Sequence, residues 1–239
     1  MVRFALLVAI LLSPLLAFAA PVPKADSDAV KFEKRFGKAI LPDKKGEFKF
    51  ADDALTLRFS EKDTVDNNFM PLDCPHTAVE VTGDFEVTVV IRTTAPKLSK
   101  FPNRKYHFGG GLVAWDAEAA KPLPRYVRRQ FEPNGNPKGK GPFPWMEEAE
   151  GFAPGEIYTE GQTFIEKADP TSPLHLRLVR SEGTIAFLAS SDGEKWHVLK
   201  GRPGKGELPK TLTVGVWGYN ASDTPIDVIF EKFAVKPAK

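Results

Sequence analysis

The chain has 239 residues, of which 42% are hydrophobic and 27% charged, with a formal net charge of +2 and one cysteine. Charge this close to neutral excludes general electrostatic attraction to nucleic acid, and a lone cysteine excludes an internal disulfide framework. The roughly 220 residues that follow the leader suit one large β domain, which buries about 70% of its unfolded surface and needs no covalent staple.

The N-terminus is a targeting segment by composition. Arg3 supplies the positive charge, Phe4 to Phe18 is mostly apolar, and Ala17-Phe18-Ala19 fits a small-x-small cleavage site. Ser13-Pro14 breaks the apolar run, and Pro21 and Pro23 follow at once. This reads as a secretory signal peptide over residues 1–19 rather than a membrane anchor. A secreted, periplasmic or cell-envelope location is therefore expected, with no membrane span. Residues 20–38 are a polar lead-in, one helical turn or an unordered arm. Residues 39–239 are expected to form a single β-sandwich domain.

Strand candidates then follow in order: Glu47–Phe50, Ala54–Phe59, Thr77–Val81, Asp84–Arg92, Phe108–Trp115, Arg125–Phe131, Ile157–Glu166, Leu174–Arg180, Thr184–Ser190, Trp196–Lys200, Thr211–Gly218 and Ile226–Val235. Turn residues such as Ser181-Glu182-Gly183 and Asp192-Gly193 punctuate them. Short strands at this spacing, with no convincing amphipathic helix, predict an all-β sandwich or barrel, and two antiparallel sheets packed on their apolar faces would form the core. Pro96 to His107 reads as a basic loop. Pro133 to Gly155, rich in Pro and Gly, reads as a long loop insert at about residues 132–156.

Alternation at period two assigns the faces. Phe85, Val87, Val89 and Ile91 point inward, as do Leu174, Leu176 and Leu178, then Leu212, Val214 and Val216, and also Val127 and Phe131. The outward set is unusual: Tyr126, Arg128, Gln130, His175, Arg177 and Trp217, with Trp115 beside them. Were these strands neighbours on one sheet, that set would make a concave polar face with aromatic platforms. Indole and phenol rings stack on sugars, and Arg, Gln and His donate directional hydrogen bonds. Trp145, from the long loop, is a candidate lid. The plainer alternative is solvated strand residues with Trp217 packed under a loop.

Charge is unevenly spread. Eleven Lys or Arg face three acids between Arg92 and Lys140, and seven acids face Lys167 between Glu147 and Asp169. Either the two segments compensate each other, or a basic face meets an anionic ligand. Enzyme signatures are weak. Asp227 and Glu231 share a face at i and i+4, too far apart for a retaining glycosidase pair. No spacing suggests a catalytic metal; no cofactor is implied, and a structural calcium ion is left open. Ser190 to Trp196 is near an Asp-box turn, but its glycine comes one place early, and Asp192-Gly193 is first a hairpin turn. Gly109-Gly110-Gly111 precedes no helix, so it reads as close backbone approach or a bulge in a strand rather than a phosphate loop. Asn220-Ala221-Ser222 matches a glycosylation sequon. Cys74 lacks a histidine partner in sequence and reads as a buried thiol.

Pro75 to Val87, containing Gly83-Asp84-Phe85-Glu86-Val87, resembles a stretch of concanavalin A-like sandwich proteins of the domain of unknown function 1349 type. Gly110 to Val113 with Arg125 to Arg128, Leu176 to Arg180, Ser191-Asp192-Gly193 with Trp196, and Val214 to Ser222 followed by Phe230 to Phe233 are similar to its later strands. The likeness spans about Ile40 to Val235. It departs at Leu41 to Glu47, where an Asp-rich segment with a cysteine is usual, and in the long insert. It implies a jelly-roll sandwich, often secreted, with carbohydrate binding and no assigned catalytic residue. The resulting expectation is a monomeric, non-catalytic module that binds a glycan or polysaccharide, anionic or neutral, through Tyr126, Arg128, Gln130, Trp145, His175, Arg177 and Trp217. Two rivals stand: a glycoside hydrolase or polysaccharide lyase on the same face, and an envelope protein-interaction domain.

Overall fold

The computed structural model describes residues 28–60, 63, 70–94, 107–133, 145–152, 169–199, 208–222 and 224–238; side chains at 29, 132, 133, 145–148 and 150 are outside the description. The expected signal segment, residues 96–106 of the expected basic loop and the expected strand Ile157–Glu166 lie outside the described residues.

The chain runs through α1 (Asp28–Phe36), β1 (Lys38–Ile40), β2 (Glu47–Ala51), β3 (Ala54–Phe59), β4 (His76–Thr82), β5 (Phe85–Thr93), β6 (Phe108–Trp115), β7 (Arg125–Pro133), β8 (Trp145–Phe152), β9 (Leu174–Ser181), β10 (Thr184–Ser190), β11 (His197–Val198), β12 (Thr211–Asn220) and β13 (Ile226–Pro237). Eleven of the twelve expected strands appear, each to within two residues at either end. They form two antiparallel sheets, six-stranded in the order β1-β4-β12-β6-β7-β8 and seven-stranded in the order β11-β10-β9-β5-β13-β3-β2. Repeated crossing between the two layers, at β1–β2, β3–β4, β4–β5, β5–β6, β8–β9, β11–β12 and β12–β13, gives a jelly-roll sandwich.

The inward set packs as expected: Phe85, Val87, Val89, Ile91, Leu174, Leu176, Leu178, Leu212, Val214, Val216, Val127 and Phe131 share one buried core. Arg129 points inward between Val127 and Phe131 and is 1% exposed. Its guanidinium donates to the carbonyls of Ile91, Ser172 and Asp169 and lies 4.6 Å from the Phe131 ring.

Two segments differ from expectation. The lead-in contains a full helix, α1, whose Phe32 and Phe36 stack one turn apart and meet Phe48, Phe50 and Phe233. Asp28 at its start and Lys34 and Arg35 at its end oppose the helix dipole. Gly37, at φ +77°, ends it in a left-handed conformation that suits glycine. A bulge between Glu231 and Ala234 shifts the facing of β13, so Phe233 turns inward to stack on Phe36 at 5.3 Å. The long insert holds a strand, β8, paired to β7. Its described inward positions, Ala149 and Gly151, are small because the layers touch there: a Cβ on Gly151 would come 2.6 Å from the Phe187 ring. Small residues erase the apolar alternation that marks a strand.

Candidate functional site

The seven candidate residues do not converge on one surface. β7 and β12 belong to the six-stranded sheet, so Tyr126, Arg128, Gln130 and Trp217 share its outer face. β9 belongs to the seven-stranded sheet, which puts His175 and Arg177 on the opposite exterior of the sandwich. Alternation tells which face a residue takes but not which sheet its strand joins; the crossing between β8 and β9 separates them. Trp145 opens β8 opposite Pro133, and its side chain is among those not described. A lyase assembled from His175 and Tyr126 on one face is therefore not what this fold provides.

On the six-stranded face, an aromatic layer forms a second packed cluster of Cys74, Val113, Trp115, Tyr126, Trp217 and Tyr219. Trp217 lies stacked on Tyr219 at 5.4 Å and edge-on to Tyr126 at 5.5 Å, and Tyr126 stacks on Phe152 at 5.1 Å. Trp217 is 0% exposed and Tyr126 8%. Trp217 thus lies beneath this face and is no open platform. Two polar side chains are set into this layer. Arg128, half-buried, holds its guanidinium 5.8 Å from the Tyr126 ring and 5.9 Å from the Tyr219 ring. Gln130 accepts a hydrogen bond from the Tyr219 hydroxyl, Oη to Oε1, at 2.8 Å.

Arg128 and Gln130 reach over β6 because β6 has no side chain there. In register, Gly111 separates Arg128 from Trp217, and Gly109 separates Gln130 from Tyr219. A Cβ on Gly111 would fall 1.9 Å from the Val127 carbonyl oxygen, so the strands approach as closely as the glycine run suggested. His76, opposite Trp217 across β4, completes the face. Its Nδ1–H donates to the Cys74 carbonyl at 2.8 Å and its ring meets Trp115 edge-on at 5.4 Å. Burial pushes the His76 pKa down, which keeps the ring neutral. Tyr219 and His76 escaped sequence reading: Tyr219 continues the outward alternation of Thr213, Gly215 and Trp217, and His76 stands one residue before the expected start of β4.

The two oppositely charged segments prove to be strand neighbours in part: Arg128 stands opposite Glu150 and Gln130 opposite Glu148 in the β7–β8 register.

On the other exterior, Arg177 holds its guanidinium carbon over Trp196, 3.8 Å from the ring centroid, and pairs with Glu86 at 3.3 Å. His175 meets the edge of Trp196 at 6.4 Å. Asp227 forms a two-pronged pair with Arg58, at 2.9 and 3.0 Å, and Glu231 pairs with Arg92. Both carboxylates sit on β13, an interior strand, and are occupied by arginines of neighbouring strands. Asp192 behaves as a turn residue: it accepts from the Glu194 and Lys195 amides and the Ser190 hydroxyl, and these hold its pKa down at about 2. The Asn220 side chain is buried, donating to the Thr224 carbonyl and accepting from Ser222, so the sequon serves as a corner lock of the folded chain. Cys74 is buried, and loss of solvent pushes its thiol pKa up to about 12. Among the described residues, no group of three or more His, Cys, Asp or Glu is placed to hold a metal, and no helix is long and apolar enough to cross a membrane.

No protein-family model matches the chain, and no curated protein matches it. Among solved structures, a functionally unknown protein from Saccharomyces cerevisiae aligns over 83% of this chain and 99% of its own, at 14% identity and a TM-score of 0.48. A marine PL7 alginate lyase from Zobellia galactanivorans aligns over 79% of each chain at 12% identity and 0.44. The carbohydrate-binding module CBM66 from Bacillus subtilis aligns over 80% of this chain and 92% of its own at 10% identity and 0.40. Likenesses this distant carry no residue role over to the present chain.

Proposed function

We propose that the chain is a secreted, non-catalytic carbohydrate-binding sandwich whose site is the outer face of the six-stranded sheet, centred on Arg128 and Gln130. One observation carries this reading: two hydrogen-bonding side chains are set into a packed aromatic layer on a face that the core does not need. A solvated sheet exterior has no use for rings that fix a guanidinium and an amide in place; a site that must hold its donors still does. Tyr126, Trp217, Tyr219 and the buried Gln130 act here as positioning residues, and Arg128 touches the sugar. His175, Arg177 and Trp196 form a separate cluster held by Glu86 and fall outside the site. Kinship with the domain of unknown function 1349 type rests on the sequence stretches quoted above alone.

A glycan array on the mature chain tests the reading. Arg128→Ala is expected to lower affinity for any glycan captured by about tenfold or more, the worth of a hydrogen bond to a charged donor. Arg177→Ala is expected to leave capture unchanged. Loss on Arg177→Ala with retention on Arg128→Ala moves the site to the other sheet and defeats the assignment.

A further inference from the structure

We propose that the Asn220 sequon is a glycosylation site that the fold excludes: a sugar on Asn220 and the native sandwich are alternatives, and the chain matures only where N-linked transfer does not reach it. The proposal builds on the export expected from the N-terminal segment and is independent of the carbohydrate-binding reading.

Asn-x-Ser ordinarily marks a surface loop, where an attached glycan stands in solvent. Asn220 is placed otherwise. It continues the inward alternation of Leu212, Val214 and Val216, which belong to the core. A Cβ on Gly218, two residues before it, would meet Leu57 at 2.9 Å and Val228 at 3.5 Å, both on the seven-stranded sheet. Asn220 is 0% exposed and Ser222 1%. Both ends of the carboxamide are in use: Nδ2 donates to the Thr224 carbonyl at 2.8 Å, and Oδ1 accepts from the Ser222 amide at 2.9 Å and the Ser222 hydroxyl at 2.6 Å. These bonds lie where the chain leaves β12 for β13 and the opposite sheet. N-linked transfer bonds Nδ2 to the anomeric carbon of a sugar, breaks that carbon's bond to its lipid-diphosphate carrier and sheds one amide proton. A sugar on that atom must either enter the sandwich, where its hydroxyls are dry and the core is overfilled, or open the corner. The partners that bury Asn220 are distant in sequence: β12 pairs with β6, and Phe108 stands opposite Asn220. Non-local pairing of this kind is slow, so the newly made segment meets a transferase while still open.

Export of the full chain from two hosts, one whose export route carries N-linked transfer to Asn-x-Ser and one without it, tests this. Each product is divided by protease resistance and read by peptide mass. The host without transfer is expected to give protease-resistant chain. In the host with transfer, sugar on Asn220 is expected only in the retained, protease-sensitive fraction, with a several-fold lower secreted yield. Ser222→Ala removes the sequon together with a buried hydroxyl. It is expected to lower the melting temperature of chain from the first host and yet to raise the secreted yield in the second. A purely structural Ser222 would lower both. Protease-resistant chain carrying sugar on Asn220 overturns the exclusion. Folded chain secreted at full yield with Asn220 unmodified overturns the claim that transfer diverts the chain. Export from neither host removes the expectation on which the proposal stands and leaves the glycan array to decide the carbohydrate reading by itself.

Discussion

His76 is a buried ring whose neutral form is built into the face. Its Nδ1–H is spent on the Cys74 carbonyl, and desolvation opposes a second proton. Its folded pKa therefore lies below the unfolded value of about 6.5. Between those two values the unfolded chain holds more protons than the folded one, so stability rises with pH there. The contribution is complete above about pH 6.5 and is lost as pH falls through the folded value. His175 is shifted in the same direction, first by desolvation and then by Lys232, and adds the same slope from the other sheet. Urea melts between pH 7.5 and 5 are expected to show a falling midpoint. His76→Gln, which cannot titrate, is expected to flatten that fall, and an unchanged slope in the variant would locate the linkage elsewhere. Trp217 is a second case at this scale. Fully buried, it is unsuited to a direct test of binding, because Trp217→Ala removes a core side chain at a cost of about 3–5 kcal/mol.

At the scale of elements, β6 shows what a sequence conveys and what it conceals. Gly109-Gly110-Gly111 announced close backbone contact, and the contact is there; its partner was unreadable. Gly111→Ala is expected to push β6 from β7, since the added carbon falls 1.9 Å from a carbonyl oxygen. A cost of about 1–3 kcal/mol is in keeping with overpacking, and thermal unfolding measures it. Strands with strong apolar alternation, such as Phe85 to Ile91 and Leu174 to Leu178, were legible because one face must be dry. β8 was not, since its inward positions carry Ala149 and Gly151 to make room for Phe187. α1 was missed because two phenylalanines on a charged nine-residue segment carry too little periodicity. Its anchor is tertiary, a cluster with Phe48, Phe50 and Phe233. The candidate site was half legible for a related reason. The facing of Tyr126, Arg128, Gln130 and Trp217 follows from period two, but the pairing order that sends β9 to the other sheet depends on contacts distant in sequence.

Across the whole molecule, one strand serves both the interior and the proposed site, and adjacent residues divide the work. Arg129 faces in and Arg128 faces out. Arg129 links the six-stranded sheet to Ile91 of the seven-stranded sheet and to the segment from Asp169 to Ser172. The carbonyls it serves include a fully buried one, and leaving such a group dry costs about 1–3 kcal/mol. Arg129→Met keeps much of the volume and removes every donor. It is expected to lower stability by about 2 kcal/mol or more and to leave ligand affinity unchanged in the fraction that folds. Arg128→Ala removes two contacts with aromatic rings, each worth about 0.5–1 kcal/mol at partly exposed sites, and is expected to lower stability by about 1 kcal/mol while weakening binding about tenfold or more. Chemical denaturation and calorimetry on the two variants measure both quantities. The opposite pattern, with Arg129→Met abolishing affinity at full stability, would mean that the site opens toward the interior of the sandwich and not onto its outer face.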